Sequence, residues 1–250
     1  MEQAINYLDT NLLSDNIVQF PIPAKHTHTQ ERISPLRDPN IVNKVFEALL
    51  NSGRYSLRNA TIFALQLAIG RRTNDILSMR LSTVYDFSHN RVKSLITIDE
   101  HKTGKTARDL PISSKTISLL ESYIKTLKRC TPNSYLFPSQ KHNPDGSQRP
   151  LNTNSLNNLY TTVTSTICKE LNYERSHITT YAARKTYGYN LYMECLNNNN
   201  GFLPGTDINA LQYVQSVFNH NSTMTTLRYI GAYDAPAAQL AEDIQSKYDF

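Results

Sequence analysis

The residues of this chain best suited to chemistry are a scattered set of cations and one tyrosine, each in a distinctive local frame. Arg72 lies in AIGRRTNDIL, residues 68–77. Gly70 lets the chain turn out of an apolar stretch, so Arg72 leaves the core edge as a new helix begins. There its planar fork can grip a phosphate through two parallel hydrogen bonds, although a simple pairing with Asp75 is the ordinary surface reading. In HKTGKTARDLPI, residues 101–112, Lys102, Lys105 and Arg108 crowd a glycine-containing turn. Such a hairpin tip contacts phosphate well, and the same composition also serves merely to keep a strand edge wet.

In ITTYAARKTYGYNLY, residues 178–192, Tyr181 and Arg184 share one helical face, and Gly188 lies four residues further on. A glycine there implies close approach by another group, for which plain helix packing suffices. In VFNHNSTMTTLRYIG, residues 217–231, Asn221 and Ser222 are suitable N-caps for a short helix that reaches Tyr229 and stops at Gly231. Thr223, Thr225 and Thr226 are poor helix formers, so this helix needs docking, and its tyrosine is a candidate moving part. Tyr229 is also one of 15 tyrosines, and packing is what most of them do.

The elements that must position these residues are mostly helical. Apolar positions recur at helical spacing over residues 38–53, 57–69, 74–80, 114–128, 154–171, 179–195 and 208–218. Residues 57–69 are apolar almost all round, which marks a central helix. Runs at 83–87, 92–98 and 109–112 predict one small antiparallel sheet, and the asparagine-rich residues 197–201 predict a loop. The fold class is therefore mainly α with a small antiparallel β-sheet (α+β). Residues 1–32, with a weak helix at 5–13 and a Pro/His/Thr-rich linker, are too short for a core of their own. Residues 33–232 form the main domain. In the tail, residues 233–250, Pro236 opens a helix whose stripe of Ala237, Leu240, Ala241, Ile244 and Tyr248 covers either its own core or a neighbouring subunit.

Composition narrows the function classes. With 39% hydrophobic and 19% charged residues among 250, the chain reads as a globular protein of the cytoplasm, without a membrane span or signal peptide. Three widely spaced cysteines suggest neither a disulfide framework nor a zinc site. A formal charge of +5 favours a polyanionic partner. No phosphate-binding glycine loop and no carboxylate cluster call for a nucleotide or a metal.

Taken together, the segments resemble the catalytic domain of the tyrosine recombinase (phage integrase) family, with the closest wording in small bacterial, plasmid and phage recombinases. The family's first box, of the form TGLRISELL, matches IGRRTNDIL; its KTGK hairpin matches residues 102–105; its HxLRHTFAT box matches YAARKTYGY; its LGHSSIxTTxxY box matches FNHNSTMTTLRY. The match spans residues 34–231, and the last box is the most specific.

The resemblance implies a site-specific DNA recombinase, a DNA strand transferase working through a 3′-phosphotyrosine intermediate in integration, excision or resolution. Tyr229 is then the nucleophile, Arg72 and Arg184 the phosphate clamps, Lys102 the general acid and His220 a hydrogen-bond donor to the phosphate. Asp75 braces the arginines, while Lys105, Arg108, Lys185 and Arg228 contact DNA. Tyr181 joins the catalytic set in the place where the family usually has histidine, and Asn219 replaces the usual glycine before His220. No cofactor and no metal is implied. The implied partners are double-stranded DNA, other copies of the chain in a tetramer of two dimers, and an accessory DNA-binding protein. The family's N-terminal clamp domain has no room in residues 1–32. Relaxation of supercoils or resolution of hairpin ends by the same chemistry, and sequence-specific DNA binding without catalysis, are the alternative readings.

Overall fold

A computed structural model of the chain describes residues 33–100, 105–173, 175–198 and 201–231, with backbone only at 99–100, 105–108 and 198. The expected helix at 5–13 with its linker, the hairpin tip carrying Lys102, and the tail stripe lie outside the described residues. Helix α1 (Pro39–Leu50) starts where the Asp38 carboxylate accepts from the Asn40 N–H and proline occupies the first turn. Helix α2 (Ser56–Ile69) buries Ala60, Ile62, Phe63, Leu65 and Ile69, so it is central, as its all-round apolarity predicts. It ends at Gly70 in the left-handed region (φ +60°), where an added Cβ would lie 2.1 Å from the Tyr187 ring. Backbone conformation and space both demand glycine there.

Two short helices follow, α3 (Thr73–Leu77) and α4 (Leu81–Val84). Strand β1 (Tyr85–Asp86) pairs antiparallel with β2 (Arg91–Val92), and β3 (Leu95–Glu100) with β4 (Lys105–Pro111), in the register Ile96↔Leu110 and Glu100↔Lys105. After α5 (Ser114–Ile124) comes a further hairpin, β5 (Pro138–His142) with β6 (Gln148–Pro150). The chain then forms α6 (Thr153–Glu170), α7 (Thr180–Asn198), α8 (Ala210–Phe218) and α9 (Thr223–Tyr229).

The expectation of one three-run sheet is corrected here: the described strands form three separate two-stranded sheets. The chain changes partner at Lys93 and Ser94, where the Lys93 N–H bonds the Val84 carbonyl and the Ser94 carbonyl accepts from Ile112. Residues 81–84 are helical because Leu81 and Val84, one turn apart, both enter the core, which outweighs the β-propensity of Thr83 and Val84. Helix α7 also runs three residues past Cys195 to Asn198, into the expected loop.

Two apolar clusters result. The larger surrounds Phe63, Phe137 and Tyr160 and is built from α1 to α6 with the start of α7. The smaller lies between α7, α8 and α9, where Val214, Phe218 and Ile230 are buried with Tyr187, Tyr192, Leu211 and Tyr229 against them. Gly188 on α7 is what lets these helices close, since a Cβ there would meet the Phe218 ring at 2.3 Å and the Ile230 side chain at 3.3 Å. Overpacking of this kind costs about 1–3 kcal/mol. Gly188→Ala should lower the denaturation midpoint accordingly, and an unchanged midpoint would show that the helices are not held this tightly.

The first described residues cross α7. Leu36 is buried and its N–H donates to Thr186 Oγ1 (2.8 Å), Lys185 Nζ donates to the Ile33 carbonyl (2.6 Å), and Arg37 Nη2 donates to the Gly231 carbonyl (2.6 Å). This strap joins residues 33–37 to the end of α9.

Candidate active site

Arg184 is the fixed point of the site. It lies in the second turn of α7, is 3% exposed, and points across to α2 and α9. Its Nη1 donates to the Gly70 carbonyl (2.7 Å), one of the carbonyls that the end of α2 leaves without a helical partner. The negative end of the α2 dipole favours a cation at that spot. Nε donates to the Tyr229 hydroxyl oxygen (2.8 Å), and the guanidinium carbon sits 4.4 Å from the centre of the Phe218 ring. None of these three partners is charged, so they orient the guanidinium without neutralising it.

Tyr229 ends α9, a seven-residue helix capped by Ser222, whose Oγ accepts from the Thr225 N–H. Thr226 and Ile230 are its buried anchors, so docking, more than propensity, holds it. Burial pushes the Tyr229 phenol well above its ordinary range, while the Arg184 charge opposes that rise. The Tyr181 ring meets the Tyr229 ring edge-on, with centroids 5.9 Å apart, and its presence adds to the rise of the phenol. Tyr181 is 37% exposed and opens this pair to water.

His220 follows the end of α8. Asn219, standing in for the usual glycine, takes the left-handed conformation (φ 56°), and the His220 N–H closes the helix on the Gln215 carbonyl. The imidazole packs 4.8 Å from the Tyr229 ring and its Nδ1 is 3.0 Å from Thr226 Oγ1. Burial, then the positive charges of Arg184 and Arg72, lower its pKa from 6.5 to about 4. At neutral pH the ring is therefore uncharged, and it offers Nε2–H to a phosphate when the Thr226 hydroxyl donates to Nδ1.

The linkage sign follows. A histidine with a depressed folded pKa binds its proton more readily in the unfolded chain, so its contribution to stability is complete above pH 6.5 and fades as pH falls toward 4. A phosphate beside the ring stabilises its charged form. An NMR titration of His220 should give a midpoint near 4 in the free protein and a higher one with DNA. A free-protein midpoint at 6.5 would place the ring away from the arginines.

Arg72 is the N-terminal flanking residue of α3, exposed, with Nη1 4.0 Å from Asp75 Oδ2 one turn along. Its place at the core edge and its acidic neighbour both match the sequence reading. The structure thus brings Arg72, Asp75, Tyr181, Arg184, His220 and Tyr229 to one region. Lys105 and Arg108 lie on β4. Lys185 places its ammonium on the Ile33 carbonyl and 5.2 Å from the centre of the Tyr229 ring. Arg228 is exposed in the last turn of α9. Sequence reasoning missed the Gly70 carbonyl, the Phe218 ring beneath Arg184 and the Thr226 partner of His220. The first was legible in principle, because a helix terminus always leaves bare carbonyls.

The chain matches known proteins over most of its length. A family model described as the phage integrase family matches residues 38–235. The probable integrase/recombinase YoeC of Bacillus subtilis (strain 168) is 26% identical over 199 residues, covering 80% of this chain and 90% of that protein. The crystal structure of XerA recombinase is similar with a TM-score of 0.55 at 19% identity, over 86% of this chain and 67% of that one. A XerH site-specific recombinase bound to a palindromic difH substrate, in a post-cleavage complex, gives a TM-score of 0.57 at 19% identity over 86% of this chain. This chain spans 54% of the XerH chain's length. Among the described residues no helix is long and apolar enough to cross a membrane.

Proposed function

Because this chain belongs to the phage integrase family, the tyrosine recombinases, and is thereby a site-specific DNA recombinase, we propose that Tyr229 is the nucleophile that cleaves the DNA strand. The observation that carries this reading is the 2.8 Å contact between the Tyr229 hydroxyl and Arg184 Nε, which holds the phenol where a guanidinium can also hold a phosphate. In the reaction, the Tyr229 oxygen bonds to phosphorus as the bond from phosphorus to the 5′-oxygen breaks. The DNA 3′ end is left on the tyrosine, and the 5′-oxygen takes a proton to become a hydroxyl. The 5′-hydroxyl of a second strand reverses these events.

Arg184 and Arg72 hold the non-bridging oxygens and stabilise the charge of the crowded phosphorus, the part of such catalysis that is usually largest. The neutral His220 ring donates a further hydrogen bond. Lys102, by its place in the KTGK turn, protonates the leaving 5′-oxygen. Tyr181, edge-on to the Tyr229 ring and open to water, stands in the place where relatives carry histidine and takes the departing phenolic proton outward to solvent.

The partner is double-stranded DNA, taken by other copies of the chain arranged as a tetramer of two dimers, with an accessory DNA-binding protein assisting, in the cytoplasm. The net positive charge supports the DNA partner. The test is a duplex cut from the DNA flanking the gene, with sulfur replacing the bridging 5′-oxygen so that the cleaved strand cannot rejoin. A covalent protein–DNA adduct should form, and peptide mapping should place it on Tyr229. Absence of an adduct across the inverted repeats of that region, or an adduct on another tyrosine, would overturn the assignment.

A further inference from the structure

Behind the two arginines lies a buried polar network that the proposed chemistry does not use. Gln66, on α2, has no exposed surface. Its Nε2 donates to Thr73 Oγ1 (3.0 Å) and to the Thr180 carbonyl (3.2 Å), and its Oε1 accepts from the Tyr160 hydroxyl (3.2 Å). Thr73 Oγ1 lies 3.3 Å from Thr180 Oγ1, which in turn donates to Asn157 Oδ1 at 2.6 Å. Thr73 and Thr180 are themselves buried. Four helices, α2, α3, α6 and α7, thus meet at one side-chain amide.

The sequence positions of its partners are what matter. Thr73 directly follows Arg72 at the start of α3. Thr180 directly precedes Tyr181 at the start of α7 and lies one turn before Arg184 on the same face. Gln66 therefore bonds the first residue of each helix that launches a phosphate-binding arginine, at their common base. An apolar side chain of the same size would fill the space, but could not fix the distance between two helix starts, because dispersion contacts lack the direction of hydrogen bonds. An amide can, since its donor side reaches α3 and α7 together while its acceptor side is held by Tyr160.

We propose that Gln66 is a positioning residue of the recombinase, setting the separation of Arg72 and Arg184 so that both meet one phosphate. The proposal rests on the reading that these two arginines clamp the scissile phosphate. Misplacement of reacting groups by about 1 Å costs on the order of 100-fold in rate.

The test uses the full chain and the sulfur-bridged duplex, comparing wild type with Gln66→Met, Thr73→Val and Thr73→Ser. At saturating DNA, Gln66→Met and Thr73→Val should cleave about 100-fold more slowly, with DNA affinity within about threefold of wild type. Thr73→Ser, which keeps the hydroxyl, should stay within about threefold of wild type. A second readout separates positioning from general weakening. Replacing one non-bridging oxygen of the scissile phosphate with a methyl group removes the charge that the two arginines meet together. Wild type should therefore lose much more of its rate than Gln66→Met does.

Should Gln66→Met fail to fold, Thr73→Val against Thr73→Ser carries the comparison alone. Equal sensitivity of variant and wild type to the methylated phosphate, or a rate loss matched by an equal loss of affinity, would overturn the proposal. Failure of wild type itself to form an adduct would instead overturn the reading beneath it.

Discussion

Tyr229→Phe should abolish adduct formation, by on the order of 10⁴-fold or more, while DNA affinity should stay within about threefold of wild type or tighten. The substitution removes one oxygen and leaves a ring that already packs against Phe218 at 4.9 Å and His220 at 4.8 Å. Without that oxygen no bond to phosphorus can form. The phenol also occupies Arg184 Nε in the DNA-free protein, so its loss frees a donor for the phosphate. The cost is a buried donor left without its acceptor, about 1–3 kcal/mol, visible as a lower denaturation midpoint that DNA partly restores. Quantitative adduct gels and a binding isotherm on the same duplex decide the matter. Parallel loss of binding and cleavage would make Tyr229 a structural residue.

Arg184→Lys should lower the cleavage rate at saturating DNA by about 10²–10³-fold. A lysine keeps the charge and loses the fork. Arg184 now divides its donors between the Gly70 carbonyl, the Tyr229 hydroxyl and the space beyond, and one ammonium on a flexible stem cannot reproduce that geometry. Affinity for the duplex should fall less than tenfold or so, because this is one phosphate contact among many. The pattern to look for is a loss in rate far larger than the loss in binding, measured in single-turnover reactions. A variant that cleaves within about threefold of wild type would show that charge alone suffices and that the fork is idle.

The site was more legible in the sequence than the sheets around it. Arg72, Arg184 and Tyr229 each sit in a short segment whose glycine, cap or helical spacing has a local cause, but their joint role, and His220 altogether, came from the resemblance of the four boxes to the family. Gly70 ends a helix, Ser222 starts one, and Asn219 adopts the left-handed turn that its side chain tolerates. The partition of strands is decided elsewhere. Whether residues 92–98 pair as one run or two depends on a bend at Ser94 and on which neighbours lie on either side, and no local pattern encodes that. The β5–β6 hairpin was missed although its Asn143-Pro-Asp-Gly-Ser turn is a strong signal, because short flanks of charged and polar residues hide the alternation. The direction of Lys185 was hidden for a related reason. A lysine one position after Arg184 reads as part of a basic patch, but on a helix it points some 100° away, toward the strap at Ile33.

The strap has a consequence for how the enzyme comes into being. Arg37 holds the Gly231 carbonyl across 194 positions of sequence, whereas Leu36 meets Thr186 across 150. Contacts that distant form only after the whole intervening polypeptide exists. During synthesis the strap at residues 33–37 therefore waits for α7 and for residue 231, so the first described residues are among the last to find their partners.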